Sequence, residues 1–528
     1  MNEMVSLNRR GLLKGSAVTA AMAGPFAAFI ANEAHATTNG LGEQTAPAAS
    51  PYGPIAPVRC LSTGLFLLQL PRGFSYHSFS FRGDRMDDGQ RVPTSHDGMA
   101  VVSTVATGRT VEHVLIRNHE LGAGSLLTVP GNPGGVYDDV TIPAGRPAGG
   151  CTVLRVRNGQ LVEHKANIGG TLVNCAGGAS PWGSWLTCEE TETNLTGSGG
   201  RRHGYVFDVH ADPLQTVAEP IRDMGRFAHE AVAFDPVTGY IYQTEDARNE
   251  AGFYRFIPND RSRRYGALFA GGRLQAAKVV GVERANLLAL AGIRPSQVER
   301  VGQTLQIEWV DIADPDASPA DYTEVGPDNP DTGTRNVSGP FRQAREAGAL
   351  RMSRGEGIWW DNRTQSFFIT DTSFGYESGG ARRAGRGLGC IWRYTPSRSN
   401  PDRGTLTLVY AAAARVAGNN VDNICISPRG GLLTCDDGSA VVDAFGPGQR
   451  LMGYTAQGLA YIFAKSNVVF SNADIAAIGR TGQFAAGDYR GAEFAGATFD
   501  PTGRVLYVNN YTPGITFAIT GPWGLGNL

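Results

Sequence analysis

One recurring phrase constrains the fold of this chain more than any other feature. It reads Glu230-AVAFDPVTGYIYQT-Glu245, then Glu356-GIWWDNRTQSFFIT-Asp371, then Asp422-NICISPRGGLLTCD-Asp437, and more loosely Cys175-AGGASPWGSWLTCE-Glu190. A further copy, Ala495-GATFDPTGRVLYVN-Asn510, has its carboxylate two residues early, at Glu493. Each copy is an apolar run, a turn around Asp-Pro, Ser-Pro or Asp-Asn, and a second apolar run, which is the signature of a β-hairpin. Hairpins repeated through an all-β chain predict a β-propeller, with short helical and loop insertions between blades. About six blades fit the 528 residues. The 70 glycines agree with a fold full of tight turns.

The spacing carries a functional expectation. In four copies a Cys, Glu or Asp precedes a Glu or Asp by 15 residues, with the turn near the middle. A hairpin then brings both ends to the same rim, the exact partner shifting by one residue where the turn length differs. Charges at strand ends explain any single copy. Several copies gathered at one mouth would repel one another unless cations bound between them.

The domain reading has three parts. Residues 1–36 read as an export signal: Asn8-Arg9-Arg10-Gly11-Leu12-Leu13-Lys14, an apolar run from Ala17 to Ala31, and Ala34-His35-Ala36 as the cleavage site. The arginine pair resembles a twin-arginine signal, with Asn8 and Leu12 in place of the preferred Ser or Thr and Phe; an ordinary secretory signal is the other reading. Residues 37–58, rich in Ala, Pro, Gly and Thr, read as a loose leader, and 59–528 as the propeller. These features place the mature chain in the periplasm or outside the cell, with the twin-arginine machinery as a partner and no membrane anchor after cleavage. A net charge of −2, from 47 basic and 49 acidic residues, gives no reason to expect a nucleic-acid partner. The seven cysteines show neither a disulfide framework nor a zinc spacing.

Oxygen-rich clusters suit hard cations such as calcium, whereas a thiolate among them suits a transition metal. Cys175 stands where three other copies place a carboxylate, so it is a ligand candidate. Cys188 and Cys435 read as buried core residues. His229 adjoins Glu230, so in a strand the two side chains face opposite ways and only one reaches the site.

The order of these phrases is more specific than any one of them. Arg117-Asn118-His119-Glu120, Asn174-Cys175 followed by Ser180-Pro181-Trp182-Gly183-Ser184-Trp185 and Glu189-Glu190, Arg226 to His229-Glu230, Arg354-Gly355-Glu356, and Cys435-Asp436-Asp437-Gly438 together resemble the PhoX-type alkaline phosphatase family. The resemblance runs from about residue 60 to the C-terminus. It implies a six-bladed propeller holding a cluster of iron and calcium ions, with phosphate monoesters as substrates. It carries metal roles onto Cys175, Glu190, Glu230, Glu356 and Glu493, with Asn118, Glu120, Asp371 and Asp437 as further candidates. Arg354 matches a phosphate-binding arginine. Segment 262–350 has no blade pattern, and its Asp- and Pro-rich stretch 311–340 reads as a long surface loop.

The residues suit that chemistry. Several cations and an arginine fork can neutralise phosphate oxygens without a protein nucleophile. Asn118-His119-Glu120 also looks like a calcineurin-type metallophosphoesterase motif, but no Asp-x-His precedes it, so that fold is set aside. Two alternatives stay open: a calcium-dependent propeller lactonase or phosphodiesterase, and a non-catalytic binding propeller stabilised by calcium.

Overall fold

The repeated phrases fold as the hairpins their spacing predicts. The computed structural model describes residues 38–108, 110–131, 135–288, 298–324, 333–376 and 384–528. Within these, strand Asn174–Ala179 pairs with Ser184–Glu189, His229–Phe234 with Ile241–Glu245, and Gly355–Asp361 with Ser366–Asp371. Val421–Ile426 pairs with Leu432–Asp436 and Phe494–Phe499 with Val505–Asn510. A longer hairpin of the same kind precedes them, His96–Thr107 with Thr110–His119. We number these six in chain order.

Turn chemistry fixes where each hairpin reverses. Asp235 accepts from the Val237 amide (2.8 Å) and from Thr238 Oγ1 (2.8 Å). Asp361 and Asp500 do the same with Arg363 N (3.0 Å) and Thr502 N (2.9 Å). Ser180 and Ser427 use a hydroxyl instead, taking the amides of Ser184 (2.9 Å) and Arg429 (3.1 Å). Short polar side chains that bond their own backbone are what make these turns.

The first strands of the six hairpins pack side by side in chain order, and Phe494–Phe499 packs back on His96–Thr107 to close the ring. Closure demands small residues on the inner strands. A Cβ on Gly98 would stand 2.6 Å from the Ala176 Cα, and one on Gly496, at φ +61°, would collide with the Asp97 carbonyl. The fold is a β-propeller. Strand Ser75–Phe79 pairs with Ile515–Thr520, so an early strand and the last strand share the sheet of the sixth hairpin.

Two expectations about segments give way here. Residues 38–58 are docked rather than loose. Gln44 is buried and exchanges hydrogen bonds with Ala460 through both amide atoms (2.9 and 2.7 Å), Tyr52 enters the largest core cluster, and Ile55–Val58 pairs with Leu68–Pro71. Backbone left open at a sheet edge takes up this stretch, a gain that composition does not reveal. Segment 262–350 likewise contains strands. Thr304–Asp311 pairs with Gly272–Val279 on one side and Arg403–Ala411 on the other, joining the sheets of the third and fourth hairpins edge to edge. Within the stretch read as a surface loop, Ala320–Thr323 pairs with Thr334–Val337, and a helix, Gly339–Glu346, follows, capped by Ser338 Oγ on the Phe341 amide. The signal read in residues 1–36, and Thr37 after it, lie outside the described residues.

Candidate metal centre

One irregularity, repeated in each hairpin, builds the centre. The first residue of the first strand pairs with the end of the second strand, and the register then slips: between His96 and Met99, Asn174 and Gly177, His229 and Val232, Gly355 and Ile358, Val421 and Ile424. Such a bulge re-aims the residue it contains. In these five hairpins the re-aimed residues are Asp97, Cys175, Glu230, Glu356 and Asp422, all buried. The sixth hairpin slips one residue later, after Ala495, and places no ligand type at that position. Its contribution is Glu493, just ahead of the strand.

A second tier of acids stands just past the end of four of the six second strands. Glu120, Glu190, Asp246 and Asp437 occupy it and are partly exposed. Between the two tiers, in five of the hairpins, the residue that ends the second strand anchors the chain entering the first. Glu189 accepts from Leu172 N (2.9 Å), Asp371 from Ser353 N (3.3 Å), and Asp436 from Asn419 N (3.3 Å). Asn510 donates to the Ala492 carbonyl (3.3 Å), and His119 bonds the Thr94 carbonyl (2.9 Å). Every partner lies two residues before its strand.

The ligand atoms form a continuous arc. Cys175, Glu190 and Glu230 lie within 4.8 Å of one another, and so do Glu230, Glu356 and Asp422. The arc continues through Asp422, Asp437 and Glu493, then through Glu493, Asp97 and Glu120, within the same limit. Cys175 Sγ reaches Asp97 Oδ2 at 3.8 Å, joining the two ends. Burial, and then Glu356, Asp422, Glu190 and Asp97, push the Glu230 carboxyl well above the usual range. Asp422 is pushed up to about 7 by burial and then by Asp437. Burial and the surrounding acids also raise the Cys175 thiol. So many acids crowded in a buried space cannot all ionise unless a cation joins them. The donor set fits that role. Both Glu230 oxygens and Asp422 Oδ1 are buried without a hydrogen-bond partner. The Cys175 end offers a thiol among carboxylates, and the Glu493 end offers oxygen alone.

Arg354 stands beside this arc, its Nε donating to Asp246 Oδ1 (2.7 Å) and its Nη2 lying 3.0 Å from Glu356 Oε1. Burial lowers its pKa, but Glu356 and Asp246 raise it overall.

Of the residues singled out in the sequence, Cys175, Glu190, Glu230, Glu356, Glu493, Glu120 and Asp437 come together here. Asn118 and Asp371 do not. Asn118 Nδ2 donates to the carbonyls of Cys175 (2.9 Å) and Ala176 (2.7 Å), while its Oδ1 accepts from Trp185 Nε1 (2.8 Å) and Thr187 Oγ1 (2.9 Å). It clamps the strand behind Cys175 and has no atom left for a cation. Asp371 is used by Ser353 and the Arg354 amide (3.1 Å). His229 turns away to the Gly225 carbonyl and stacks on Phe227, leaving Glu230 to face the centre. Cys188 and Cys435 sit in apolar clusters.

The sequence reading missed Asp97, Asp246 and the inward role of Asp422. Asp97 lies in a hairpin whose long strands separate it from Glu120 by 23 residues, outside the repeat spacing. The third and fourth hairpins are one residue longer between tiers, so a spacing of 15 lands on the strand-ending residues Glu245 and Asp371 instead of Asp246 and Thr372.

Fold and centre define a class: a β-propeller with an acid-rich, cysteine-containing centre built on its inner strands. The chain belongs to the alkaline phosphatase PhoX family, whose model, described as "Alkaline phosphatase PhoX", matches residues 51–165 and 141–514. It is a phosphatase. A solved structure of Pseudomonas fluorescens PhoX in complex with vanadate, a transition state analogue, is similar over 90% of this chain and 99% of that one, at 17% identity and TM-score 0.60. More distant likenesses are a Xanthomonas campestris gluconolactonase (12% identity, 89% and 98% covered, TM-score 0.33) and a β-propeller domain of Myceliophteria thermophila Cps50 (7%, 81% and 100%, 0.33). No curated protein matches the chain.

Proposed function

We propose that the arc from Cys175 to Glu120 holds iron and calcium and that the protein hydrolyses phosphate monoesters there. The observation that carries this reading is Glu230: a buried carboxylate, surrounded by other acids, with neither oxygen hydrogen-bonded. A cation would give such a group the partner that no neighbouring side chain supplies. The thiol-bearing end, Cys175, Glu190, Glu230 and Glu356, suits iron; the all-oxygen end, Asp422, Asp437, Glu493, Asp97 and Glu120, suits calcium. When bound, these ions supply Lewis-acid charge against the phosphoryl oxygens.

The chain's own residues do the rest. Asn118 holds the two carbonyls behind Cys175, fixing where the thiol points. Asp371 holds the amide of Arg354, and Asp246 holds its guanidinium, so the fork is oriented before substrate arrives. Its remaining N–H groups can bond two phosphate oxygens at once, a geometry lysine lacks. The vanadate complex of the Pseudomonas fluorescens protein supports phosphoryl chemistry on this fold. The arginine pair of the leader supports export by the twin-arginine route to the periplasm or beyond. Among the described residues, no helix is long and apolar enough to cross a membrane.

Steady-state hydrolysis of p-nitrophenyl phosphate, a phosphodiester and a lactone by metal-replete protein tests the reading. Preference for the monoester is the expected result; preference for the lactone or diester, or no turnover of any, overturns it.

A further inference from the structure

Five hairpins use the residue that ends the second strand to grip the chain entering their own first strand; the third hairpin uses its equivalent, Glu245, for something else. Glu245 is buried, and its Oε1 accepts from Ser338 Oγ (2.6 Å). Its Oε2 accepts from the Gly252 amide (2.9 Å) and from the Tyr254 hydroxyl (2.7 Å). Among the described residues Glu245 forms no ion pair, so these three donors are what offset its burial. Residues 246–251 lie between Glu245 and Gly252, so this one carboxylate closes the turn that carries Asp246. Asp246 in turn holds the Arg354 guanidinium.

Ser338 belongs to the insertion between strands Thr304–Asp311 and Gly355–Asp361, outside every hairpin. The same hydroxyl that donates to Glu245 accepts from the Phe341 amide (3.1 Å), capping the helix Gly339–Glu346. That helix is a fixed post. Gln343 bonds both the amide and the carbonyl of Asp314 (2.9 and 2.8 Å), Arg345 Nη1 donates to the Ala285 and Ala349 carbonyls (3.0 and 2.6 Å), and a Cβ on Gly339 would collide with the Ala317 carbonyl. The segment before the helix is tied to the chain between the second and third hairpins: the Pro315 carbonyl accepts from the Arg226 amide (2.9 Å), and Asp316 Oδ1 from the Tyr205 hydroxyl (2.6 Å). A continuous line of bonds therefore runs from the insertion through Ser338, Glu245 and the Asp246 turn to the Arg354 fork. Its links at Glu245 are buried, where hydrogen bonds are strong and a lost one is costly.

We propose that Ser338 and Glu245 are positioning residues for phosphate-ester hydrolysis, through which the insertion sets the Asp246 turn and hence the orientation of the Arg354 fork. The proposal rests on the phosphatase reading, with Arg354 facing the phosphate, and goes beyond it by giving the insertion a part in turnover. Removing the Ser338 hydroxyl leaves Glu245 Oε1 without its donor, and the carboxylate then shifts to find another. The turn it closes shifts with it. A fork displaced by a fraction of an ångström still binds the ester but meets the transition state poorly, so the loss falls on kcat.

The test measures kcat and KM for p-nitrophenyl phosphate, with metal content, in metal-replete wild type, Ser338→Ala, Ser338→Gly and Ser338→Thr, and repeats the alanine change in an Arg354→Lys background. Alanine and glycine should each lower kcat about three- to tenfold, with KM changed less than about twofold and metal content unchanged. Glycine is an accepted N-cap residue, so it removes the hydroxyl while sparing the helix. Threonine keeps the hydroxyl and should restore most of the turnover. Lysine has no fork to orient, so in the Arg354→Lys background Ser338→Ala should cost less than about twofold. An equal loss in both backgrounds overturns the proposal, as do a loss with alanine but not glycine, an unchanged kcat, or a loss of bound metal, and each leaves the phosphatase reading intact. A wild type that does not hydrolyse the ester overturns both.

Discussion

Replacing Glu230 with glutamine gives opposite results with and without bound cations, which makes it a sharp test of what the centre is for. The side chain is fully buried, both oxygens lack partners, and ligand atoms of Cys175, Glu190, Glu356 and Asp422 share groups with it that are 4.8 Å or less across. Two ionised carboxylates at that separation repel by about 3–4 kcal/mol at an effective dielectric constant of about 20. Without cations, Glu230 must either stay protonated or repel its neighbours, so Glu230→Gln relieves that conflict and should raise the melting temperature of chelator-treated protein above that of chelator-treated wild type. With cations, the same change removes a charged ligand and should cost about 3 kcal/mol of binding, roughly a hundredfold in affinity. Metal analysis and calorimetry on both proteins, before and after chelation, read the two effects.

The pH dependence carries the same sign logic. In metal-free protein the folded Glu230 and Asp422 carboxyls lie above their ordinary values, so each contributes stability in acid and loses it as pH rises through the folded value. For Asp422 that window runs from 3.8 to about 7. Metal-replete protein should show the reverse, losing stability toward acid as protons displace the ions. Equal melting of the chelated pair together with equal metal content in the untreated pair would refute the reasoning.

Two further outcomes follow from the site and one from the leader. Arg354→Lys should keep its metals and its melting temperature yet lose about 2–4 kcal/mol of transition-state stabilisation, roughly 30- to 1000-fold in p-nitrophenyl phosphate turnover; loss of metal instead would make the arginine scaffold. Cys175→Ser should lose iron and most activity while staying folded, whereas Cys188→Ser should keep its iron; equal iron content in both variants would deny Cys175 its role. Changing Arg9 and Arg10 to lysine should stop export, measured by fractionation, and normal periplasmic accumulation would remove the twin-arginine reading.

The repeat was legible because hairpin turns are local: Asp235, Asp361 and Asp500 bond their own backbone, and that chemistry needs no tertiary context. The inward tier was half legible. Cys175, Glu230 and Glu356 follow the repeat, but Asp97 sits in a hairpin with longer strands. The bulge that aims all of them is a matter of register, which spacing does not encode. The pairing of tiers failed at Asp371 because one extra turn residue moves an anchor into the place of a ligand. Asn118 misled for another reason. Its neighbours in sequence look like a metal motif, while its side-chain bonds run to Cys175, Trp185 and Thr187 far along the chain. The docking of residues 38–58 was hidden similarly, since Gln44 finds its partner at Ala460.

The central claim is that this arc of acids is a metal centre that does phosphatase work. The most direct test is metal content measured against p-nitrophenyl phosphate turnover, on protein purified without chelators and then followed through stepwise chelation. The account requires tightly bound iron together with calcium, and activity that falls in step with their removal. Protein that hydrolyses the ester at full rate with no bound metal would contradict it.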